Sequence, residues 1–461
     1  MSSLFTRHPS SYRDPSGFIF IHAGNYYRQV NQIFKDDFDF FISSGCYENL
    51  VKKELIIPHQ VINENLTGRN DHYQTLKPET VNFISYPYEW SFDMLKDAAL
   101  LTLTLVKEAA GYGMMLKDAT PYNVQWHRGK FIFVDTLSLE KYNEHLPWIA
   151  YRQFCETFLS PLLLMHYSKS PLHQLQLAYP EGIPLAVTKS LLPARSKFSF
   201  HTYLHIHLHA KISSKKDANN SSAGKFSKQK LLNLVSSLEI LVNRLKFSKQ
   251  QSAWSAYYEE ASQRNNYLES KKILIRRWID TLNDIETATD LGANEGEFSC
   301  LLSEKNIYTL ATDFDPYCIN KLYNAVKNNG ERNIQPLIID LSNPSPPIGV
   351  NNEERSSFTN RLQADLVMAL AVVHHLAIGK NITLNMIADM FQRINRRYLI
   401  IEFVPKNDEK SQLLLSGKKD VYTMYTEDNF VEAFKKYYTI TSKETIGTSG
   451  RTLYLMTRHE K

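Results

Sequence analysis

Residues 290–299 read DLGANEGEFS. The apolar stretch before them, with Ile285 and Ala288, ends at Asp290; Gly292, Asn294 and Gly296 follow, and then Phe298, Leu301 and Leu302 recur at helical spacing. Strand, glycine-bearing turn and helix in that order are the parts of a nucleotide-binding βα unit, where small residues let a ligand approach the backbone and the helix N-terminus. A second strand, Ile307 to Ala311, leads to Asp313, 23 residues after Asp290. A carboxylate at that place can accept both hydroxyls of a ribose.

The glycine pattern sets the class of ligand. A pyrophosphate needs close backbone approach at the second and third glycines of a dinucleotide turn. Here Asn294 and Glu295 crowd that spot and put a carboxylate where phosphates would sit, so a ligand without phosphate fits better. Further out, a third strand, Pro336 to Ile339, ends at Asp340, and a fourth, Asp365 to Leu370, leads to Val372, Val373, His374, His375 and Leu376. Tyr398 to Phe403 reads as a fifth strand and Glu427 to Lys436 as a helix. Tyr438 to Ser442 with Thr452 to Thr457 reads as a closing antiparallel pair.

Over roughly residues 268–458 this order resembles the class I methyltransferases that use S-adenosylmethionine. The resemblance implies an α/β fold, a Rossmann-like sheet with a terminal antiparallel hairpin, and S-adenosyl-L-methionine as cofactor. It places Asp290, Gly292, Asn294 and Gly296 around the methionine part, Asp313 at the ribose, and Asp340 with the backbone of Leu341 at the adenine. His374 and His375 fall where methyl and acceptor meet. One could act as general base, since a free imidazole titrates near pH about 6.5; equally, both could be structural, bonded to backbone at the sheet edge. Glu402, at the end of the fifth strand, is a second candidate for acceptor contacts. The Asn/Asp-Pro-Pro-Tyr loop of amino-methyltransferases acting on DNA or glutamine is missing after Asp365. The expected acceptor is therefore a hydroxyl, a carboxyl, a small molecule or a modified RNA base.

At 461 residues the chain exceeds what one core supports, so two domains are expected. With 43% hydrophobic residues both can be filled. No apolar run reaches membrane-spanning length and the N-terminus lacks a signal-peptide core, so a soluble, cytoplasmic protein without a membrane partner is expected. Cys46, Cys155, Cys300 and Cys318 are far apart and form no CxxC pair, which fits a reducing compartment. A net charge of +5 permits an anionic partner without demanding one; nothing in the sequence supports nucleic acid in particular.

The first half carries a second informative stretch. A long apolar helix, Asp93 to Ala110, ends at Gly111 and Gly113; Leu116, Lys117 and Asp118 follow, then Asn123, then a strand Phe131 to Val134 closing on Asp135. Asp, Asn and Asp at spacings of 5 and 12 resemble the catalytic loop and metal-binding aspartate of protein-kinase-like phosphotransferases. The resemblance implies Asp118 as base, with Asn123 and Asp135 on magnesium. The pattern is degenerate: Leu116-Lys117 stands where the family has His-Arg, Thr136-Leu137 follows Asp135, and residues 1–85 contain no glycine-rich loop. A scaffold for substrate binding, or plain turn and cap residues, are the other readings.

Earlier in the chain, Phe18 to His22 reads as a strand and Asp36 to Leu50 as a helix. His201, His205, His207 and His209 could ligate a metal, but with no carboxylate or cysteine at ligand spacing, packing against the core is preferred. The domains expected are an α+β, kinase-like 1–210, a flexible basic linker 211–230, and a methyltransferase domain 231–461. Helices at 231–247, 254–265 and 269–282 would lead into that last domain. As a whole the layout YPYEWSF, LKDATPYN, FIFVDTLS, PWIAYRQF, DLGAN and RTLYLM resembles a family of bacterial two-part proteins that includes nodulation-associated predicted methyltransferases.

Overall fold

The computed structural model describes residues 5–213, 226–247, 267–417 and 419–460. The chain forms two units, one of residues 1–248 and 348–355, the other of 249–347 and 356–461.

The first unit opens with an antiparallel five-stranded sheet: β1 (Thr6–Arg7), β2 (Gly17–His22), β3 (Asn25–Asn31), β4 (His59–Ile62) and β5 (His72–Pro78), in the order β1-β2-β3-β5-β4. Phe18 and Phe20 of β2 and Val30 of β3 are buried. A Cβ on Gly17 would stand 2.0 Å from the Gln29 carbonyl oxygen, so only glycine fits that crossing. The single helix expected at 36–50 is two, Lys35–Ser43 and Cys46–Lys52, broken where Gly45 adopts φ +80°. Phe92–Gly111 is the long helix anticipated, buried along most of its length. After it come β6 (Met114–Leu116), β7 (Val124–His127), β8 (Lys130–Phe133) and β9 (Leu139–Lys141), pairing β6 with β9 and β7 with β8. Tyr151–Ser168 is helical, with a wide turn over Cys155–Leu159 just ahead of Pro161.

The expected boundary at 231 is corrected by the helix Lys228–Arg244. It packs on Phe92–Gly111 within the first unit: Lys107 pairs with Glu239, and Lys96 Nζ donates to the carbonyls of Asn243 (3.0 Å) and Leu245 (2.9 Å). Its buried stripe, Leu231, Val235, Leu238 and Val242, needs an apolar face, and the long helix supplies one. Of the expected linker, 214–225 lies outside the described residues, as does the helix expected at 254–265.

The second unit holds a seven-stranded sheet: β10 (Thr287–Leu291), β11 (Tyr308–Asp313), β12 (Ile334–Ile338), β13 (Ala364–Ala369), β14 (Asn395–Phe403), β15 (Tyr438–Thr445) and β16 (Thr452–Arg458). The order is β12-β11-β10-β13-β14-β16-β15; the first five strands are parallel, and β16 enters antiparallel between β14 and β15. The chain thus winds outward from β10 in both directions. The crevice outside the carboxyl ends of β10 and its neighbours is where such sheets bind ligands. The helices start where local chemistry starts them. Asp315 caps Pro316–Asn328 by accepting from the N–H of Tyr317 at 2.8 Å, and Thr383 caps Leu384–Ile394. The core under β10 and β13 includes Ile275, Trp278, Ala288, Phe298, Leu302, Leu366 and Met368.

Candidate functional site

A cavity of about 310 Å³ opens at the carboxyl ends of β10 to β13. It is lined by Asp290, Gly292, Ala293, Asn294, Phe298, Asp313, Phe314, Asp340, Leu341 and His375, and by Tyr267 and Lys271 from the helix Tyr267–Ile279. Of the nine residues assigned from sequence to cofactor and chemistry, Asp290, Gly292, Asn294, Asp313, Asp340, Leu341 and His375 line it. Gly296 and His374 do not.

The turn after β10 is shaped by three left-handed residues, Gly292 (φ +75°), Asn294 (φ +51°) and Gly296 (φ +85°). A Cβ on Gly292 would lie 2.6 Å from Val372 Cγ2, and one on Gly296 2.4 Å from Leu322 Cδ1. Gly292 therefore keeps the cavity floor open, while Gly296 acts one layer back, letting the helix Glu297–Ser303 approach Leu322.

Two carboxylates sit at successive strand ends. Asp290 is buried and accepts from Ser299 Oγ at 2.7 Å; burial pushes its carboxyl up to about 7, against that hydrogen bond and the charge of Lys271, with nearby Asp313 adding to the rise. Asp313 accepts from the backbone N–H of Asn294 and of Asp315, each at 2.9 Å, yet burial still lifts it to about 6. Two such groups suit a cationic ligand and repel phosphate. Asp340 accepts from the N–H and the hydroxyl of Ser342, at 2.8 and 2.6 Å, which fixes its orientation at the third strand end.

The helix expected at 269–282 is Tyr267–Ile279 and closes this end; what the sequence reading missed is the part its side chains Tyr267 and Lys271 play in the cavity wall. Lys271 is almost fully buried, its Nζ 2.6 Å from Glu402 Oε2 and over the Phe298 ring at 4.8 Å from its centroid. Tyr267 donates to Glu402 Oε1 at 2.6 Å and receives a bond from Arg451, which pairs with Asp408. Glu402 is thus not an acceptor contact: it is fully buried, does not line the cavity, and serves to hold Lys271 and Tyr267. Burial opposes its charge, but Lys271 and then Arg451 keep its carboxyl below the usual range. No residue type in the sequence could reveal this link, since Lys271 and Glu402 are 131 positions apart. Phe314, 55% exposed although it lines the cavity, was legible in principle as the residue next to Asp313.

His374 is buried and, among the described residues, neither of its ring nitrogens has a hydrogen-bond partner; its ring centroid is 4.0 Å from that of His375. Burial lowers both imidazoles, His375 to about 4 and His374 well below its ordinary value, with Arg451 adding to each. Both are neutral at pH 7, and the one with access to the cavity is His375.

In the first unit, Asp118 accepts from Gln153 Nε2 at 2.7 Å and from Asn123, and burial, then the charge of Asp135, raises its carboxyl. Asp135 is held by Arg28 of β3 and by the Ser138 hydroxyl; burial works against its charge, but Arg28 keeps it below the usual range. Asp118, expected as base, and Asn123 and Asp135, expected on magnesium, are neighbours, but Asp135 already has its cation. Among the described residues no group of histidine, cysteine, aspartate or glutamate side chains is arranged to hold a metal ion. His205 bonds Tyr151 and Ser237, and His207 bonds Ser196, so these two pack into the core.

A sheet that reads third, second, first, fourth, fifth, seventh, sixth, with the seventh strand antiparallel and a glycine turn between two acid-bearing strand ends, is the class I S-adenosylmethionine-dependent methyltransferase fold. The whole chain is 32% identical over 466 residues to the nodulation protein NoeA of Rhizobium meliloti (strain 1021), across 98% of this chain and 96% of that one, and it belongs to the family of that protein. No protein-family model matches it. Several solved structures give distant likenesses. The N-methyltransferase NodS of Bradyrhizobium japonicum WM9 has a TM-score of 0.32 at 12% identity, over 43% of this chain and 99% of that one. The bifunctional kinase-methyltransferase WbdD has 0.32 at 17%, over 48% and 46%. The magnesium protoporphyrin IX methyltransferase ChlM of Synechocystis PCC 6803 has 0.31 at 13%, over 46% and 91%. The fold assignment rests on the strand order and not on these scores.

Proposed function

We propose that the second unit binds S-adenosyl-L-methionine in this cavity and transfers its methyl group to an acceptor docked beside His375. The observation that carries the reading is the convergence of Asp290, the Gly292 turn, Asp313 and Asp340 on one cavity at the switch point of the sheet. The cofactor supplies a methyl group already activated by the positive charge of its sulfonium. The chain's part is to bind, orient and exclude water. Asp290 faces the charged methionine part, Asp313 the ribose hydroxyls, and Asp340 with Leu341 the adenine. Phe314 supplies an apolar face. His375, neutral and lining the cavity, can take a proton from an acceptor that must lose one.

A second reading gives the first unit a phosphate-transfer activity on Asp118, Asn123 and Asp135. Magnesium would then have to displace Arg28 from Asp135, so the ion pair favours a binding or positioning role for that unit. Calorimetric titration of the full chain with S-adenosylmethionine, beside Asp313→Ala and beside Mg-ATP, separates the two. Cofactor binding lost in the variant, without an ATP signal, supports the main reading. Silence toward the cofactor with magnesium-dependent ATP binding overturns it.

A further inference from the structure

The segment after Gly182 in the first unit presents an unusual surface. Phe198 is 92% exposed and Phe200 72%, with Leu191 also exposed. These rings do not belong to a fraying loop. Between them and the preceding helix Leu185–Leu191, Ser196 is fully buried and shares a hydrogen bond of 2.9 Å with His207, and Ser199 caps the next turn by accepting from the N–H of Thr202. The backbone is pinned inward at Ser196, while Lys197 and Phe198 beside it face out. A phenylalanine held almost wholly in water by an ordered turn costs hydrophobic free energy that an isolated surface ring on a mobile tail would partly escape.

The charge around the rings identifies what covers them. From Gly182 to Lys216 the chain contains no aspartate or glutamate. Lys189, Arg195 and Lys197 are all exposed, and Lys189 and Lys197 lie close enough to depress the His207 imidazole after burial has done so. An apolar protein partner would match the rings but leave these cations facing a surface with no stated charge. An anionic lipid bilayer matches both features: aromatic rings settle among the headgroups while lysine and arginine meet the negative surface. We propose that the turn Ala194–Phe200 docks the protein peripherally on an anionic membrane surface. The expectation of no membrane partner rested on the want of a spanning segment, and no helix among the described residues is long and apolar enough to cross a bilayer. Docking by two rings and a basic rim requires none.

The test is co-sedimentation of the full chain with vesicles made of equal parts phosphatidylcholine and phosphatidylglycerol, and with vesicles of phosphatidylcholine alone. Binding to the anionic vesicles is expected, weakened by added salt. Phe198→Ser with Phe200→Ser should weaken it at least about tenfold, as loss of two inserted rings implies, and Lys197→Glu should weaken it further. Both rings are exposed, so an unchanged thermal unfolding profile certifies the fold. A chain that ignores anionic vesicles, or that sediments equally well without the rings, overturns the proposal. So does loss of self-association, seen by light scattering, as the sole effect of removing them.

Discussion

Lys271 and Glu402 meet in the interior of the second unit, Nζ 2.6 Å from Oε2, with 3% and 0% of their surfaces exposed. One belongs to the helix ahead of the glycine turn, the other to the end of β14, so the pair ties the cavity's cover to its sheet. Removing one partner of a buried pair leaves an uncompensated charge, at a cost of about 3–5 kcal/mol. Lys271→Met should therefore lower the stability of the second unit by that order, and Lys271→Met with Glu402→Leu by much less. Urea unfolding, reading the transition that S-adenosylmethionine shifts, checks this. Equal losses in the single and double variants would dissolve the pairing argument. The depressed carboxyl of Glu402 sets the sign with pH: its contribution is present above the ordinary glutamate range and fades as pH falls through the lowered value.

The carboxyls of Asp290 and Asp313, raised to about 7 and about 6, must lose their protons to meet a cationic ligand. Affinity for S-adenosylmethionine should therefore weaken as pH falls below about 7, approaching tenfold per unit where one proton must be released. S-adenosylhomocysteine keeps the amino group and ribose that these carboxylates are proposed to face, so its affinity should fall in parallel. Without ligand the sign reverses, because a raised folded-state value favours the folded chain at low pH and is lost as pH rises through 6 to 7. Calorimetry across this range follows both ligands; an affinity that stays constant between pH about 7 and about 5 would remove the two carboxylates from the account.

Asp313→Asn keeps the size of the side chain but not its charge. Hydrogen bonds to a charged group contribute about 1.5–3 kcal/mol, so cofactor affinity should fall by roughly ten- to a hundredfold. The single amide oxygen can accept from only one of the two backbone N–H groups, Asn294 or Asp315, that the carboxylate serves, so a loss of stability of about 1–3 kcal/mol should accompany the loss of affinity. Wild-type affinity in this variant would place the ribose elsewhere.

How far the sequence carried the structure differs between the two halves. Short apolar stretches ending at or near acids foretold β10 to β14 to within a few residues, because parallel strands buried on both faces tolerate little but apolar side chains. The helix Lys228–Arg244 was assigned to the wrong unit because an amphipathic stripe says that a helix has a partner without saying which. The role of Glu402 was misread for a related reason. Its place at a strand end was visible, but Lys271 and Arg451 meet it only through the tertiary fold. Arg28 facing Asp135 was equally out of reach, since a strand arginine reads as a solvated charge until β3 is placed.

Gly292→Ala should lose cofactor binding more than stability, and Gly296→Ala the reverse. Both residues hold positive φ, which costs an alanine about 1 kcal/mol or more. The added methyl at Gly292 strikes Val372 on the cavity floor, whereas at Gly296 it strikes Leu322 behind the helix. Thermal unfolding and ligand titration on both variants separate the effects, and identical behaviour would contradict the distinction.

The two histidines divide by access. His375 lines the cavity and His374 lies behind it, stacked on it and buried. If His375 takes the acceptor's proton, His375→Ala should lower kcat by about 10²- to 10⁴-fold, the usual range for losing a general base, with cofactor affinity nearly unchanged. With its imidazole lowered to about 4, the histidine's own titration should appear in the rate near that value and not near neutrality. His374→Leu removes a buried ring whose nitrogens bond nothing among the described residues, so stability should hold or rise, because the buried polar cost disappears. A kcat loss in His374→Leu as large as in His375→Ala, with the fold intact, would move the chemistry one residue back.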